Sequence, residues 1–158
     1  MNGSFTCKSV EQGHTIIKDD FGLGIGQAPC AVGTFGANIT VCLPCPMGSF
    51  NNAKGSDECR PCKRGQHANE TGMSFCFPCP PGYHCDDGLK LPCSEISTFC
   101  PAQSSSPKPV QFGYYSIPIG DNAKKTGEEI CSIGHFCAQG QKIQCPAATF
   151  SDMNGSFA

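Results

Sequence analysis

The chain of 158 residues carries a formal net charge of −2 and contains 14 Cys, 19 Gly and 13 Pro. Leu, Ile, Val and Phe together number only 29, too few for a conventional hydrophobic core to offset the conformational entropy of folding. The near-neutral charge excludes disorder driven by charge repulsion and argues against nucleic acid or an anionic membrane as the main partner. Cysteine at this density is typical of an oxidising compartment, so we expect an extracellular protein held together by disulfides.

The first 29 residues contain one cysteine. We assign residues 1–7 to the end of a preceding repeat and residues 8–29 to an insert, with a short strand around residues 14–17. The run FGLGIG at 21–26 lacks the strand and helix of a phosphate-binding loop, so it predicts a glycine-rich turn. The early residues lack a secretory signal pattern, and no stretch approaches about 18 apolar residues, so we expect no membrane span in this segment.

Residues 30–100 are organised by a repeat of 17 residues. The pairs CLPC at 42–45, CRPC at 59–62 and CFPC at 76–79 recur at this spacing, each followed three residues later by glycine, and a shortened copy begins at Cys30. Because Pro and Gly interrupt nearly every segment, helix should be scarce. The predicted fold is small, disulfide-rich and mostly irregular with short β-hairpins, and its tandem cysteine-rich repeats form an elongated rod.

The remaining residues hold a second insert and a resumed repeat. Residues 101–130 contain no cysteine and are assigned to an insert, with a strand around residues 112–119. Residues 131–158 are predicted to be a cysteine-rich repeat that continues into the next unit. CSIGHFCAQGQKIQC from Cys131 matches CPPGYHCDDGLKLPC from Cys79 in three cysteines, two glycines and a lysine, so one disulfide-stapled loop is used twice.

The two ends of the sequence overlap. MNGSF at 1–5 recurs at 153–157, and a shift of 152 residues brings Cys7 to the position that would close the loop opened by Cys145. We therefore interpret the chain as one period of a tandem array cut inside a repeat, and hence as a mature product or a fragment of a longer protein.

The C-x-P-C pairs permit three interpretations. The series from Cys42 to Cys62 is close to zinc-site spacing, but a third pair at the same period and the oxidising compartment disfavour a metal, and we assign no metal site. Redox catalysis by C-x-x-C needs a βαβ context that the sequence lacks. Closure of loops by structural disulfides is the favoured interpretation.

Joining the second cysteine of one pair to the first of the next gives loops of matching length. At the boundary two pairings stay open. Either Cys131 pairs with Cys145 and leaves Cys137 to a Cys7-type residue of the next unit, or Cys145 pairs with that residue and leaves Cys131 with Cys137. For the other cysteines the predicted pairs are Cys30–Cys42, Cys45–Cys59, Cys62–Cys76, Cys79–Cys93 and Cys85–Cys100.

Four N-x-S/T sequons predict N-linked glycans in a secreted chain, and three of them lie in the arch before a closing cysteine position. The serines beside Pro107 are candidates for O-linked sugar. The His residues are scattered and no Ser, His and acid grouping emerges, so we expect no catalytic residues, no enzymatic activity and no cofactor besides glycans. The sequons are at Asn2, Asn38, Asn69 and Asn154, and the serines are Ser104, Ser105 and Ser106.

The pattern C-x-P-C-P-x-G-x-[FY], followed by a Gly and a closing C-x-P-C, resembles the ephrin-receptor-like and tumour-necrosis-factor-receptor-like cysteine-rich repeats of growth-factor-receptor type. CPAQSSSPKPVQFGYYS from Cys100 and ICSIGHFCAQGQKIQCPAATF from Ile130 are similar to tandem repeats in very large surface proteins of algae, oomycetes and other protists. The resemblance covers about residues 28–158 and implies extended, disulfide-laddered rods without enzymatic activity, some of them in surface fibres such as mastigonemes. Residues 8–29 match no repeat in these families.

These features predict a structural subunit or tandem unit of an extracellular glycosylated filament in a cell-surface appendage. Its expected partners are copies of itself head to tail, because a contact that does not close on itself propagates. Other surface proteins or glycans are further candidate partners. The alternative is a receptor or adhesin ectodomain that binds a protein ligand, and a zinc-binding module is the less favoured third class.

Overall fold

The computed structural model describes residues 6–120 and 123–157, and within these ranges it contains short strands and no helix. Consecutive strands pair antiparallel into two-stranded hairpins, in agreement with the predicted fold class. The strands are β1 (His14–Lys18), β2 (Gly24–Pro29), β3 (Thr34–Asn38), β4 (Val41–Pro44), β5 (Ser49–Phe50), β6 (Arg60–Pro61), β7 (Gln66–His67), β8 (Phe77–Pro78), β9 (Tyr83–Asp86), β10 (Leu89–Pro92), β11 (Thr98–Phe99), β12 (Lys108–Pro109), β13 (Tyr114–Ile117), β14 (Gly127–Ile130), β15 (His135–Ala138) and β16 (Gln141–Gln144).

The buried apolar side chains are mostly those of half-cystines. Eight cysteines are buried together with Ala68 and Tyr115, whereas no Leu, Ile, Val or Phe in the described ranges is buried. Twelve cysteines form six disulfides. The scarcity of large apolar residues thus corresponds to a sulfur-rich interior, in which each cross-link restricts the unfolded chain and contributes on the order of 2–4 kcal/mol.

One backbone hydrogen bond marks where each hairpin begins. The amide of Cys45 donates to the carbonyl of Gly33 at 2.9 Å, and Cys62 donates to Gly48 at 2.8 Å in the same way. We call such a donor the first residue of its hairpin, and the residue three positions later the turn residue. The donors of this bond are Cys30, Cys45, Cys62, Cys79, Cys93, Cys131 and Cys145, and the amide of Val110 bonds Ser97, one position past the turn residue. Val10 is counted as a first residue by its position, three residues before Gly13. The segment after Cys145 contains no paired strands in the described chain, but we also call it a hairpin because it begins in the same register.

The chain divides into two compact units, and consecutive hairpins stack within each. The first unit comprises the described residues up to Cys62 together with Ala68–Cys76. There the amides of Gly55 and Gly72 donate at 2.8 Å to the carbonyls of Cys30 and Cys45, the first residues of the preceding hairpins. These are the stacking bonds, and they run in one direction along the chain.

The second unit comprises Lys63–His67 and the described residues from Phe77 onward, and it has the same stacking bonds. The amide of Gln103 donates to the carbonyl of Cys79 at 2.7 Å, and that of Gly155 donates to Cys131 at 2.8 Å. Each of these bonds joins a hairpin to its predecessor, so within a unit such hairpins are held by their neighbours in sequence.

Both segments interpreted as inserts contain hairpins of this register. β1–β2 precedes Cys30, whose amide bonds Gly13, and β13–β14 precedes Cys131, whose amide bonds Gly113, both at 2.8 Å. The register therefore runs through residues 8–29 and 101–130. It does so because a hairpin needs a turn residue and two pairing strands, whereas the disulfide is dispensable.

Candidate functional site

Three disulfides close their hairpins in the pattern that the 17-residue spacing predicts. Each joins a first residue to the closing position, which we define as the residue three before the next first residue. A half-cystine at that position lies on the second strand or directly before it, and it bonds back across the hairpin. These disulfides are Cys30–Cys42, Cys45–Cys59 and Cys62–Cys76.

The predicted pairs Cys79–Cys93 and Cys85–Cys100 are wrong. The structure instead has Cys79–Cys85, with a sequence separation of 6, and Cys93–Cys100, with a separation of 7. Two short loops in succession replace the overlapping pair of loops that was expected.

The register explains this difference. The amide of Cys93 donates to the carbonyl of Gly82 at 2.9 Å, so Cys93 is a first residue and opens the next hairpin. The closing position three residues before it is Lys90, which has no sulfur. Cys85 faces Lys90 across β9–β10 and supplies the second sulfur from the neighbouring strand.

The equivalent block around Cys131 behaves in the same way. Cys131 pairs with Cys137, which faces Lys142 across β15–β16. Of the two pairings left open by the sequence, the structure thus contains the one that leaves Cys145 for a Cys7-type residue. The alternative Cys131–Cys145 pair is not formed.

The lysines at these two closing positions stack on tyrosines. The Nζ of Lys90 lies 5.1 Å from the centre of the Tyr83 ring, and the Nζ of Lys142 lies 5.2 Å from that of Tyr115. A cation over an aromatic face gains about 0.5–1 kcal/mol at exposed sites. Sequence comparison detects that the two lysines coincide, but this contact had not been predicted.

Tyr115 is the largest apolar group in the interior, and its hydroxyl donates to Oε2 of Glu129 at 2.6 Å. The hydrogen bond to the carboxylate, together with burial and the repulsion between the two negative charges, raises the pKa of Tyr115 above its ordinary value of 10.0. The phenol is therefore protonated at neutral pH and joins β13 to β14 through its side chain.

Two described cysteines have no disulfide partner. Cys145 is half-buried and is a first residue, the position that opens a disulfide in six other hairpins. Cys7 is exposed and lies three residues before Val10, so it occupies a closing position. The two thiols thus belong to complementary positions of one register.

Three of the four sequon asparagines lie on exposed arches, and the fourth, Asn2, is outside the described residues. The side-chain oxygen of Asn38 accepts from the Thr40 amide at 2.9 Å and from its hydroxyl at 2.7 Å, which holds this sequon in a tight turn. Asn69 and Asn154 are also exposed.

The three serines near Pro107 differ in exposure. Ser104 is buried, and its hydroxyl donates to the Pro101 carbonyl at 2.6 Å, so this side chain is withdrawn from O-linked modification. Ser105 is half-buried and Ser106 is exposed. Only Ser106 therefore presents its side chain fully to solvent.

The cysteines weighed above as zinc ligands are committed to disulfides. One further grouping has metal-ligand chemistry, since the donor atoms of His84, Cys93 and Cys100 lie within 4.8 Å of one another. Both sulfurs belong to the Cys93–Cys100 disulfide, which leaves no thiolate for a metal. The imidazole Nδ1 of His84 lies 3.4 Å from Sγ of Cys93, so the ring packs on the disulfide.

None of the described residues forms a helix long and apolar enough to cross a membrane. Residues 33–74 match the family model described as tyrosine-protein kinase ephrin type A/B receptor-like, which confirms the predicted resemblance for this part of the chain. A comparison with curated protein sequences found no match. Six disulfides and a receptor-like match indicate a secreted or cell-surface location. The chain therefore carries a cysteine-rich repeat similar to those of ephrin type A/B receptor-like proteins.

Proposed function

We propose that this chain is a structural, non-catalytic unit of an extracellular glycosylated filament, in which copies follow one another head to tail. The observation that carries the proposal is the direction of the stacking bonds. Five hairpins bind the next one through the carbonyl of their first residue, as Cys30 accepts the amide of Gly55 and Cys131 accepts that of Gly155. Such a contact between unlike faces does not close on itself, so repeating it extends a line of units.

N-linked glycans at Asn38, Asn69 and Asn154 are part of the proposal. Exposed arches can carry a bulky sugar without displacing a stacking bond. Sugars at these positions would coat the sides of a filament and keep neighbouring filaments apart.

Electron microscopy of the native material tests this function. Linear assemblies with a repeat set by one copy of the chain are the expected result. Isolated monomers under native conditions would overturn the proposal.

A receptor or adhesin ectodomain is the second candidate function. The receptor-like match over residues 33–74 favours it, as do exposed aromatic side chains such as Phe112, which is 90% exposed and available to a protein ligand. The complete coding sequence separates the two functions. A filament protein should contain many near-identical copies of this segment, whereas a receptor should contain few, divergent repeats and a membrane span.

A further inference from the structure

The hairpin that begins at Cys145 has backbone carbonyls that accept no hydrogen bond from the described residues. In five of the eight earlier hairpins the first-residue carbonyl accepts a stacking bond, and in seven the turn-residue carbonyl accepts the amide of the next first residue. The carbonyls of Cys145 and of its turn residue Ala148 accept no hydrogen bond from the described residues. In this hairpin, the carbonyls that would bind a following hairpin are therefore unused.

The exposure of Phe150 also indicates that this hairpin lacks a following hairpin. It lies five residues after Cys145, as Phe50 lies five residues after Cys45 and Phe136 after Cys131. The earlier two rings are half-buried, whereas Phe150 is 83% exposed. A position that is covered in earlier hairpins is thus left open in this one, at a cost of about 25 cal/mol for each Å² of apolar surface in water.

The open space around Gly134 is a third, independent observation that a following hairpin is lacking. A Cβ atom built at the turn glycines Gly33 and Gly113 would run into a backbone carbonyl of the hairpin two positions further along, from Gly72 and Gly155 respectively. At Gly134 the same Cβ would meet nothing within 4 Å, although its φ of +78° matches theirs. The hairpin that would approach Gly134 is the one that follows the Cys145 hairpin.

The hairpin β1–β2 has the complementary features. Its first residue is Val10, whose amide donates to no described residue, whereas the first residues that follow donate to a preceding hairpin. Cys7 occupies the closing position ahead of it with a free thiol. Its second strand also presents apolar surface, since Ile25 is 65% exposed.

We propose that the Cys145 hairpin of one copy is continued by residues 7–29 of a second copy, and that a disulfide between Cys145 and Cys7 seals the contact. The inference rests on the proposed function and names the interface that it needs. In forming the bond, the two thiols lose two protons and two electrons, and a disulfide oxidant such as oxidised glutathione is reduced to two thiols.

Two single variants of the secreted chain test the pairing. Cys7→Ser keeps only the Cys145 thiol, and Cys145→Ser keeps only the Cys7 thiol. In a glutathione redox buffer each variant alone should stay monomeric on a non-reducing gel. Their mixture should give one covalent dimer, at least about tenfold more than either variant alone, because docking orients the two thiols. Peptide mapping should find Cys7 joined to Cys145.

A matched pair of glycine variants separates docking from random collision. Both are made in the Cys7→Ser chain, whose β1–β2 hairpin takes no part in the mixed dimer. Gly134→Ala should slow dimer formation, because its Cβ meets the incoming hairpin. Gly22→Ala has a similar φ of +81° with nothing within 4 Å and should leave the rate unchanged. Circular dichroism of both variants before mixing shows that they are folded.

The pairing is wrong if Cys145 forms homodimers as readily as mixed dimers, or if Gly134→Ala and Gly22→Ala behave alike. This failure is distinct from failure of the proposed function. Native filaments seen by microscopy without a Cys7–Cys145 cross-link would leave the function standing and remove only this interface.

Discussion

Replacing Gly65 by Ala should destabilise the second unit well beyond the ordinary cost of alanine at a positive φ. Gly65 has a φ of +78°, and a Cβ built on it would lie 2.5 Å from the carbonyl oxygen of Gln103. Ordinary contact begins at 3.4 Å, so the two backbones would have to separate by about 0.9 Å. Gly65 also accepts the amide of Cys79 at 2.8 Å, and this bond would be disturbed by the movement.

The expected magnitude has two parts. Left-handed backbone costs a non-glycine residue about 1–2 kcal/mol, and forcing extra volume into a packed site costs about 1–3 kcal/mol. Gly134→Ala incurs the first cost alone, because the two glycines have the same φ and Gly134 has an open environment. The free energy of unfolding should therefore fall by about 2–5 kcal/mol for Gly65→Ala and about 1–2 kcal/mol for Gly134→Ala.

Guanidinium unfolding with disulfides intact measures both variants, in a background with Cys7 and Cys145 replaced by Ser to prevent exchange. Hydrogen exchange adds a local measurement, since the Cys79 amide should lose protection in Gly65→Ala and keep it in Gly134→Ala. Equal losses of stability in the two variants, with unchanged protection at Cys79, would show that close backbone approach does not contribute to the stack.

Three further predictions follow from side-chain contacts. Ultraviolet difference titration against Tyr115→Phe should show one phenol that ionises above pH 10.0, and Glu129→Gln should lower the pKa of that phenol. Because the pKa of Tyr115 is raised in the folded state, its contribution to folding stability is complete below the unfolded pKa and is lost as pH rises through the folded pKa. Cys85→Ser should leave Cys79 as a free thiol on peptide mapping, and a new disulfide to another cysteine would contradict the register. Asn38→Gln should reduce the mass of the secreted chain by one glycan, whereas an unchanged mass would show an unused sequon.

The sequence predicts disulfides well where the cysteine falls in the closing position. Cys42, Cys59 and Cys76 all do so, and spacing alone then identifies their partners. Around Cys79 spacing is misleading, because Lys90 takes the closing position and the second sulfur comes from the facing strand. The sequence does show a lysine three residues before both Cys93 and Cys145. That these lysines replace the closing cysteine can be recognised only from the strand pairing, which cysteine spacing does not encode.

The hairpins in residues 8–29 and 101–130 escaped prediction for a related reason. Both begin with Val in place of Cys, and their turn glycines follow at the usual distance of three residues, Gly13 after Val10 and Gly113 after Val110. A search for repeats based on cysteine passes over them. The backbone pattern persists because the turn glycine and the stacking bonds, rather than the sulfur, set the register.

The uneven placement of the disulfides governs how the chain would respond to mechanical tension. Segments enclosed by a disulfide, such as residues 46–58, are bypassed by the covalent path and cannot be pulled out. The 30 residues between Cys100 and Cys131 lie outside every disulfide loop of the described chain. Fully extended, they would span about 100 Å at roughly 3.3–3.6 Å per residue. β13–β14 is thus a hairpin that no disulfide protects, as β1–β2 is, and reversible opening of such hairpins would lengthen the chain without breaking a covalent bond.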